Sequence, residues 1–133
     1  MSAYAELQTQ YKDKDCLIAA LKEMGYDTVE DHEKAQNLYG YHGDMRNEKA
    51  NIIVRRQYVG SAANDLGFVK KDDGTYGAIV SQYDSNKHNA TWFTGLKKHY
   101  TEKVTMKTAA KRGLKFAGRS IVNGKIQLKF IQA

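Results

Sequence analysis

The sequence contains no proline, a single cysteine and no long apolar segment. Without proline there is no rigid linker, and the 11 glycines are scattered among candidate turns, so we expect a single domain over residues 1–133. One cysteine, Cys16, excludes an internal disulfide and a thiolate metal site, which is typical of a reducing compartment and predicts a cytoplasmic protein. Neither an export signal nor the roughly 18 apolar residues of a membrane span can be found, so we expect no membrane partner.

Sequence motifs of the common enzyme classes are also lacking. The glycine spacings of phosphate-binding and dinucleotide-binding loops, the zinc-protease motif and the hydrolase nucleophile elbow do not occur. The four histidines are well separated, and the nearest approach to a metal pair is His42 and Asp44. We therefore expect a protein that is not an enzyme and holds no metal or cofactor. The remaining enzyme hypothesis is a concave pocket in which His42, Asp44 or another acid converges with a shifted pKa.

What the sequence does contain is an uneven distribution of charge. The formal net charge is +6, but residues 1–94 carry 11 basic and 14 acidic side chains, a balance of −3. Residues 95–133 carry ten basic side chains and one acid, Glu102, a balance of +9. Such asymmetry indicates an anionic partner, nucleic acid above all. The alternative is that these lysines serve only solubility.

Alternating side chains, β-branched runs and turn dipeptides predict several strands and one helix in the first two thirds of the chain. The helix follows a candidate N-cap at Asp13 and ends at Gly25. Asp73-Gly74 predicts a hairpin turn between the last two strand segments. The predicted strand segments are Ala3–Gln10, Thr28–His32, Asn37–His42, Ala50–Val59, Leu66–Lys70 and Thr75–Gln82.

The last third of the chain predicts a long helix and a second hairpin. The helix spans Ala90 to Arg112 and is terminated by Gly113. Its apolar side is predicted to carry Phe93, Leu96, Tyr100 and Val104, and its other side Lys103, Lys107 and Lys111. Asn123-Gly124 then predicts a tight turn between the strands Phe116–Val122 and Lys125–Ile131. In the last strand, one buried side is expected to hold Ile126, Leu128 and Phe130, and one solvent-exposed side Lys125, Gln127 and Lys129.

These elements predict an α+β fold with the order β-α-β-β-β-β-α-β-β, which counts one strand fewer between the helices than the five segments named above. Short connections favour a mostly antiparallel, curved sheet. Two helices on one face would bury both amphipathic sides. The other face of the sheet is then expected to be free for a ligand, a partner or a second subunit.

The candidate binding surface is the basic end of the chain. Helix and hairpin are adjacent in sequence, so their cations are expected to form one continuous patch for phosphates. Aromatic side chains that are candidates for base stacking are Tyr39, Tyr41, Tyr58, Tyr76, Tyr83 and Trp92. The candidate nucleic-acid-binding residues are Lys97, Lys98, Lys103, Lys107, Lys111, Arg112, Lys115, Arg119, Lys125 and Lys129. The competing hypothesis is a structural or assembly protein that self-associates or docks into a larger complex.

Several short segments resemble a known protein family over nearly the whole chain. They are Thr9–Asp13, Leu17–Gly25, Tyr39–Gly43, Ile52–Arg55, Asp65–Phe68 with Tyr76, and Tyr100–Gly113. Together they resemble the hypothetical chloroplast reading frame thirty-five family, which is found in plastids, cyanobacteria, other bacteria and phages. The resemblance implies a compact α+β domain without established activity or cofactor, set in bacteria beside ATPases of the AAA class. An insertion-like segment, Tyr58–Asn64, and the more basic end suggest a specialised or phage-derived relative.

Overall fold

A computed structural model describes residues 3–133, and the first two residues of the predicted domain lie outside the described residues. The predicted α+β class and the order of the long elements are confirmed, with an additional single-turn α-helix and a 3₁₀ turn at Gln82–Asp84. Strands and helices are β1 (Tyr4–Leu7), α1 (Lys14–Glu23), β2 (Glu30–Tyr39), β3 (Met45–Val54), α2 (Arg56–Val59), β4 (Leu66–Lys70), β5 (Tyr76–Ser81), α3 (Ala90–Lys111), β6 (Leu114–Val122) and β7 (Lys125–Gln132).

Five strands form one antiparallel sheet in the order β1-β5-β4-β3-β2. Helices α1 and α3 pack against one face of this sheet and form a common hydrophobic core with it. The Asp13 side chain caps α1 by accepting a hydrogen bond from the backbone N–H of Cys16 at 2.9 Å. Leu17 and Leu21 of α1 are fully buried against the sheet, as their helical spacing predicts.

β2 is one long strand and not two short ones. The predicted segments Thr28–His32 and Asn37–His42 lie towards its two ends, and its pairing with β3 is interrupted between Asp31 and Gln36. Extra residues on one strand of an antiparallel pair bend that strand and increase its twist. The far part of the β2–β3 hairpin therefore curls back over the sheet.

The curled hairpin covers the second face of the sheet. β1 and β2 stand at opposite edges of the strand order, yet the Tyr4 hydroxyl donates to the Tyr39 carbonyl oxygen at 3.2 Å. The Arg46 guanidinium also lies over the Tyr4 ring, 5.3 Å from its centre. A second small core forms on this face from Leu38, Ala50, Ile53 and Ile79. The expectation of a free sheet face is therefore wrong, because the bulge turns the chain's own hairpin onto it.

A buried carboxylate fixes the curled hairpin to the loop before β4. Asp65 is 1% exposed and accepts hydrogen bonds from the backbone N–H groups of Tyr39 and Arg56, both at 2.7 Å. The Arg55 guanidinium donates to the same carboxylate at 2.8 Å. Since Asp65 takes the Arg56 N–H, the chain leaves the sheet at this point. The predicted strand Ala50–Val59 consequently ends at Val54 and is followed by α2.

Strands β6 and β7 form a separate two-stranded sheet after α3. Their turn has φ of 51° at Asn123 and 75° at Gly124, as a two-residue hairpin turn of this type requires. The predicted hairpin is confirmed, but its predicted buried side is not. No residue of β6 or β7 is buried, because the hairpin lies outside the main sheet and packs mainly against α3.

Candidate nucleic-acid interface

Two of the lysines predicted to lie opposite the apolar side of α3 lie on that apolar side. Leu96, Tyr100, Lys103 and Lys107 follow spacings of four, three and four residues, which places them on one side of an α-helix. That side faces α1. Lys103 forms an ion pair with Glu23, and Lys107 forms one with Asp13 at 2.5 Å. The prediction that these lysines stand opposite the apolar side is therefore wrong.

The ion pairs between the helices shift the titration of their carboxylates. The hydrogen bond from Lys103, strengthened by His99, holds the pKa of Glu23 below its ordinary value. The Asp13 carboxylate is partly desolvated, but its bonds with Lys107 and with the N–H of Cys16 lower its pKa nevertheless. Lys103 and Lys107 are thus committed to contacts within the chain.

The side of α3 that faces the hairpin is polar. Thr101 and Thr105 lie on it beside Glu102, which is the only acid of residues 95–133 and is 8% exposed. Glu102 forms an ion pair with Arg119 of β6, and this pair joins the hairpin to the helix. Arg119 is thereby balanced by a carboxylate, in the same way as Lys103 and Lys107.

The hairpin turns an apolar side towards α3. Phe116 pairs with Phe130, Arg119 with Leu128 and Ile121 with Ile126, so these residues share one side of the two strands. Phe116 remains 40% exposed, Ile126 46% and Ile121 73%. The polar side of α3 therefore faces an apolar surface that it does not cover.

An open groove of about 640 Å³ separates α3 from the hairpin. Lys97 and Lys98 line it on the helix, and Lys125 lines it at the hairpin turn. Apolar side chains of β7 line it between these cations, namely Ile126, Leu128 and Phe130. The α3–hairpin groove, as we call this feature, thus has positive edges and an apolar floor.

The other predicted cations surround this groove without entering it. Lys111 and Arg112 lie at the exposed end of α3. Lys115 and Lys129 belong to the opposite side of the hairpin, since strand alternation places them away from Phe116 and Phe130. Among the described residues, no ion pair involves Lys97, Lys98, Lys111, Arg112, Lys115, Lys125 or Lys129.

The predicted stacking aromatics lie elsewhere in the fold. Tyr76 is buried in the main core, and Trp92 is half-buried with its indole N–H donating to the Tyr26 hydroxyl at 3.2 Å. Tyr41 and Tyr83 are exposed and stack on each other, with ring centres 5.8 Å apart and planes 11° from parallel. They lie at the tip of the β2–β3 hairpin and after β5, outside the α3–hairpin groove. Tyr39 and Tyr58 are exposed as well.

The sequence did not identify Phe130, which lines the groove, or Phe116, its neighbour on the same side of the hairpin, as binding residues. Their rings contact edge to face, with centres 5.9 Å apart. The alternation of apolar and charged residues in β7 was the available signal. That alternation predicts burial, but it identifies an apolar side without indicating which element covers it.

The two residues named in the enzyme hypothesis, His42 and Asp44, contact an aromatic ring and an arginine. His42 stacks on Tyr41 with ring centres 3.8 Å apart, and Asp44 lies 3.9 Å from Arg46. Burial raises the pKa of the Cys16 thiol to about 11, which keeps it protonated and unreactive. Within residues 3–133 no cluster of histidine, cysteine and acidic side chains has the geometry of a metal site. Over the same residues, no helix combines the length and the apolarity needed to cross a membrane.

Comparison with known proteins identifies a family but no individual relative. The model of the family described as "Protein of unknown function (DUF1257)" matches residues 20–128, which is well over half of the chain. No curated protein and no solved structure matches the chain. The matched range begins within α1 and ends within β7, so it includes four of the five strands of the main sheet, α3 and most of the hairpin. The chain therefore belongs to the DUF1257 family of proteins of unknown function.

Proposed function

We propose that this protein is a small, non-enzymatic binding protein whose α3–hairpin groove and surrounding cations contact nucleic acid. One observation carries the proposal. The groove combines three cations without carboxylate partners, Lys97, Lys98 and Lys125, with an uncovered apolar floor. A face that served solubility alone would have no need of an uncovered apolar surface beside its lysines.

Electrostatics support an anionic partner on this surface. The segment from residue 95 onward has a balance of +9, and its one acid is occupied by Arg119. Phosphates of a bound strand would neutralise the lysines and release condensed counterions, which favours binding strongly at low salt. The remainder of the chain has a balance of −3, so attraction is concentrated on one part of the molecule.

The test compares two sets of lysines on the same helix. Lys97→Gln, Lys98→Gln and Lys125→Gln together remove the cations that line the groove. Lys103→Gln with Lys107→Gln is the matched control, because these lysines are paired with α1. We expect the groove variant to lower the slope of log affinity against log salt by about 2 for single strands. The control should change that slope by less than half as much.

The experiment is an anisotropy titration of labelled DNA and RNA at several salt concentrations. Circular dichroism of each variant checks that the fold is intact. Equal effects of both variants would contradict the groove as the site. Absence of binding to DNA and RNA at low salt would refute the proposed function.

A second candidate function is that of an assembly protein, favoured by the uncovered apolar side of the hairpin. An isolated two-stranded hairpin is marginally stable in water, so a homo-oligomer or a protein partner would stabilise it. If the family is the chloroplast reading frame thirty-five family, as we also propose, an ATPase of the AAA class is a candidate partner. Under this function the lysines provide solubility, and the mass in solution exceeds that of the 15.0 kDa chain. A cytoplasmic setting fits both candidates, because Cys16 is free and buried.

A further inference from the structure

We infer that the ligand of the α3–hairpin groove is an unpaired nucleic-acid strand, whose bases lie on the apolar floor while its phosphates meet the lysines. This inference rests on the proposed function and specifies the class of nucleic acid. It depends on chemistry that a duplex does not offer. DNA and RNA strands share that chemistry, and the experiment treats them as separate arms.

The floor of the groove is suited to the faces of bases. Phe130 lines the floor and meets Phe116 edge to face across the two strands, and such an arrangement leaves ring surface uncovered. Phe116 is 40% exposed although it belongs to the side that faces α3. Aromatic side chains on strands stack unpaired bases in several single-strand-binding folds, and such stacking is tolerant of sequence. Leu128 and Ile126 extend the floor towards the hairpin turn.

The edges of the groove are suited to a backbone that follows it. Lys97 and Lys98 approach from α3, and Lys125 approaches from the turn of the hairpin. Lysine donates hydrogen bonds as a flexible point charge, which suits phosphate without reading sequence. Cations on two walls with an apolar floor between them match a chain that is charged along its backbone and aromatic along its bases.

Threonines of α3 add hydrogen-bond acceptors to one wall of the groove. The Thr94 hydroxyl donates to the Ala90 carbonyl oxygen at 2.9 Å, and the Thr105 hydroxyl donates to the Thr101 carbonyl oxygen at 2.8 Å. With their protons engaged in this way, both hydroxyls offer the groove only acceptor lone pairs. Such groups suit amino and imino donors on base edges and do not suit phosphate oxygens.

A duplex satisfies only part of this arrangement. Its phosphates are outside and its bases are stacked inside, so duplex binding would use the lysines and leave Phe116 and Phe130 exposed to water. An unpaired strand can contact the lysines with its phosphates and the phenylalanine rings with its bases at the same time. The uncovered apolar side of the hairpin therefore favours single-stranded over double-stranded ligands.

The experiment measures affinities of the full chain for a labelled DNA single strand, the matching RNA single strand and the blunt DNA duplex of the same length. Phe130→Ala removes a ring from the floor, and Phe130→Leu keeps apolar volume without an aromatic face. Ile131→Ala is the matched control, because Ile131 is 48% exposed on the opposite side of the same strand. Circular dichroism verifies folding of each variant.

We expect Phe130→Ala to weaken binding of single strands roughly tenfold. The affinity of Phe130→Leu should lie between those of Phe130→Ala and the unaltered chain, and the affinity of Ile131→Ala should be close to that of the unaltered chain. The unaltered chain should bind the duplex more weakly than the single strands, and the substitutions of Phe130 should leave duplex affinity unchanged. Either single strand binding in this way supports the inference. Duplex binding as tight as single-strand binding, with no effect of Phe130→Ala, would overturn the inference and leave the proposed function intact. If the unaltered chain bound none of the three nucleic acids, both the inference and the proposed function would be overturned.

Discussion

Replacing Asp65 by asparagine tests whether this carboxylate holds the β2–β3 hairpin over the sheet. The two side chains have nearly the same shape, so the change removes charge and acceptor capacity without creating a cavity. Asp65 receives three hydrogen bonds, from the N–H groups of Tyr39 and Arg56 and from the Arg55 guanidinium. An asparagine has one acceptor oxygen, and its amide nitrogen would face at least one of these donors.

The expected loss follows from those three bonds. One buried N–H left without an acceptor costs about 1–3 kcal/mol. The bonds that remain lose the negative charge of their acceptor, which removes roughly another 1 kcal/mol. Arg55 keeps its two bonds with Glu30, at 2.8 and 3.0 Å, so its charge is still balanced. We therefore expect the free energy of unfolding to fall by about 3 kcal/mol, equivalent to a decrease of roughly 10 °C in Tm.

Urea and thermal unfolding followed by circular dichroism measure this loss. The control is Asp31→Asn, which breaks an exposed pair with Lys14 at 3.3 Å and should cost less than about 1 kcal/mol. If the two variants lose the same stability within error, Asp65 does not fix the hairpin and the reasoning is refuted. Limited proteolysis of the β2–β3 hairpin would then show whether the hairpin closes by another contact.

Three further predictions concern single groups in the main fold. A Cβ at Gly67 would lie 2.6 Å from the Cβ of Ala50, so Gly67→Ala should destabilise the protein by about 1–3 kcal/mol in urea unfolding, whereas Gly118→Ala, which meets nothing within 4 Å, should cost far less. Burial lowers the pKa of His88 to about 4, against about 6.5 in the unfolded chain. Between these pH values only the unfolded state binds the extra proton, so the free energy of unfolding should fall by up to about 3 kcal/mol as pH decreases from 6.5 to 4. Urea midpoints of His88→Gln over the same range should lack that part of the slope, and parallel curves would contradict the assignment. The Tyr100 hydroxyl accepts hydrogen bonds from the N–H groups that precede α1, at 2.9 and 3.0 Å, so Tyr100→Phe should lower the free energy of unfolding by about 1–2 kcal/mol; an unchanged Tm would show that water replaces the hydroxyl.

Local chemistry of the sequence predicted most elements of this fold. Asp13 and Gly25 bound α1 because a cap acceptor and a residue with positive φ act within a few residues of themselves. Asp73-Gly74 and Asn123-Gly124 both form the predicted turns, since Gly74 and Gly124 have positive φ. Boundaries were less predictable where a distant residue intervened, as at Val54, where Asp65 ends the strand.

The candidate site was predicted only in outline. Charge counting located it in the last third of the chain, because the excess of lysine and arginine is a property of composition. It did not separate Lys103 and Lys107, which are paired with acids about eighty and ninety residues earlier, from Lys97 and Lys98, which line the groove. Ion pairs between distant segments depend on how helices pack, and no local pattern records that packing.

The sequence by itself determined the α+β class, the order of the long elements, the two tight turns and the concentration of positive charge after residue 94. These follow from side-chain periodicity, backbone preferences and composition, all of which act over short distances along the chain. Only the tertiary structure decided that the β2–β3 hairpin covers the second face of the sheet and that the last hairpin stands apart from it. Both outcomes depend on which surfaces meet in space, because an apolar pattern predicts that a side is buried but not which element buries it. In this protein the first apolar side is covered by the chain itself, and the second is open as the floor of the α3–hairpin groove.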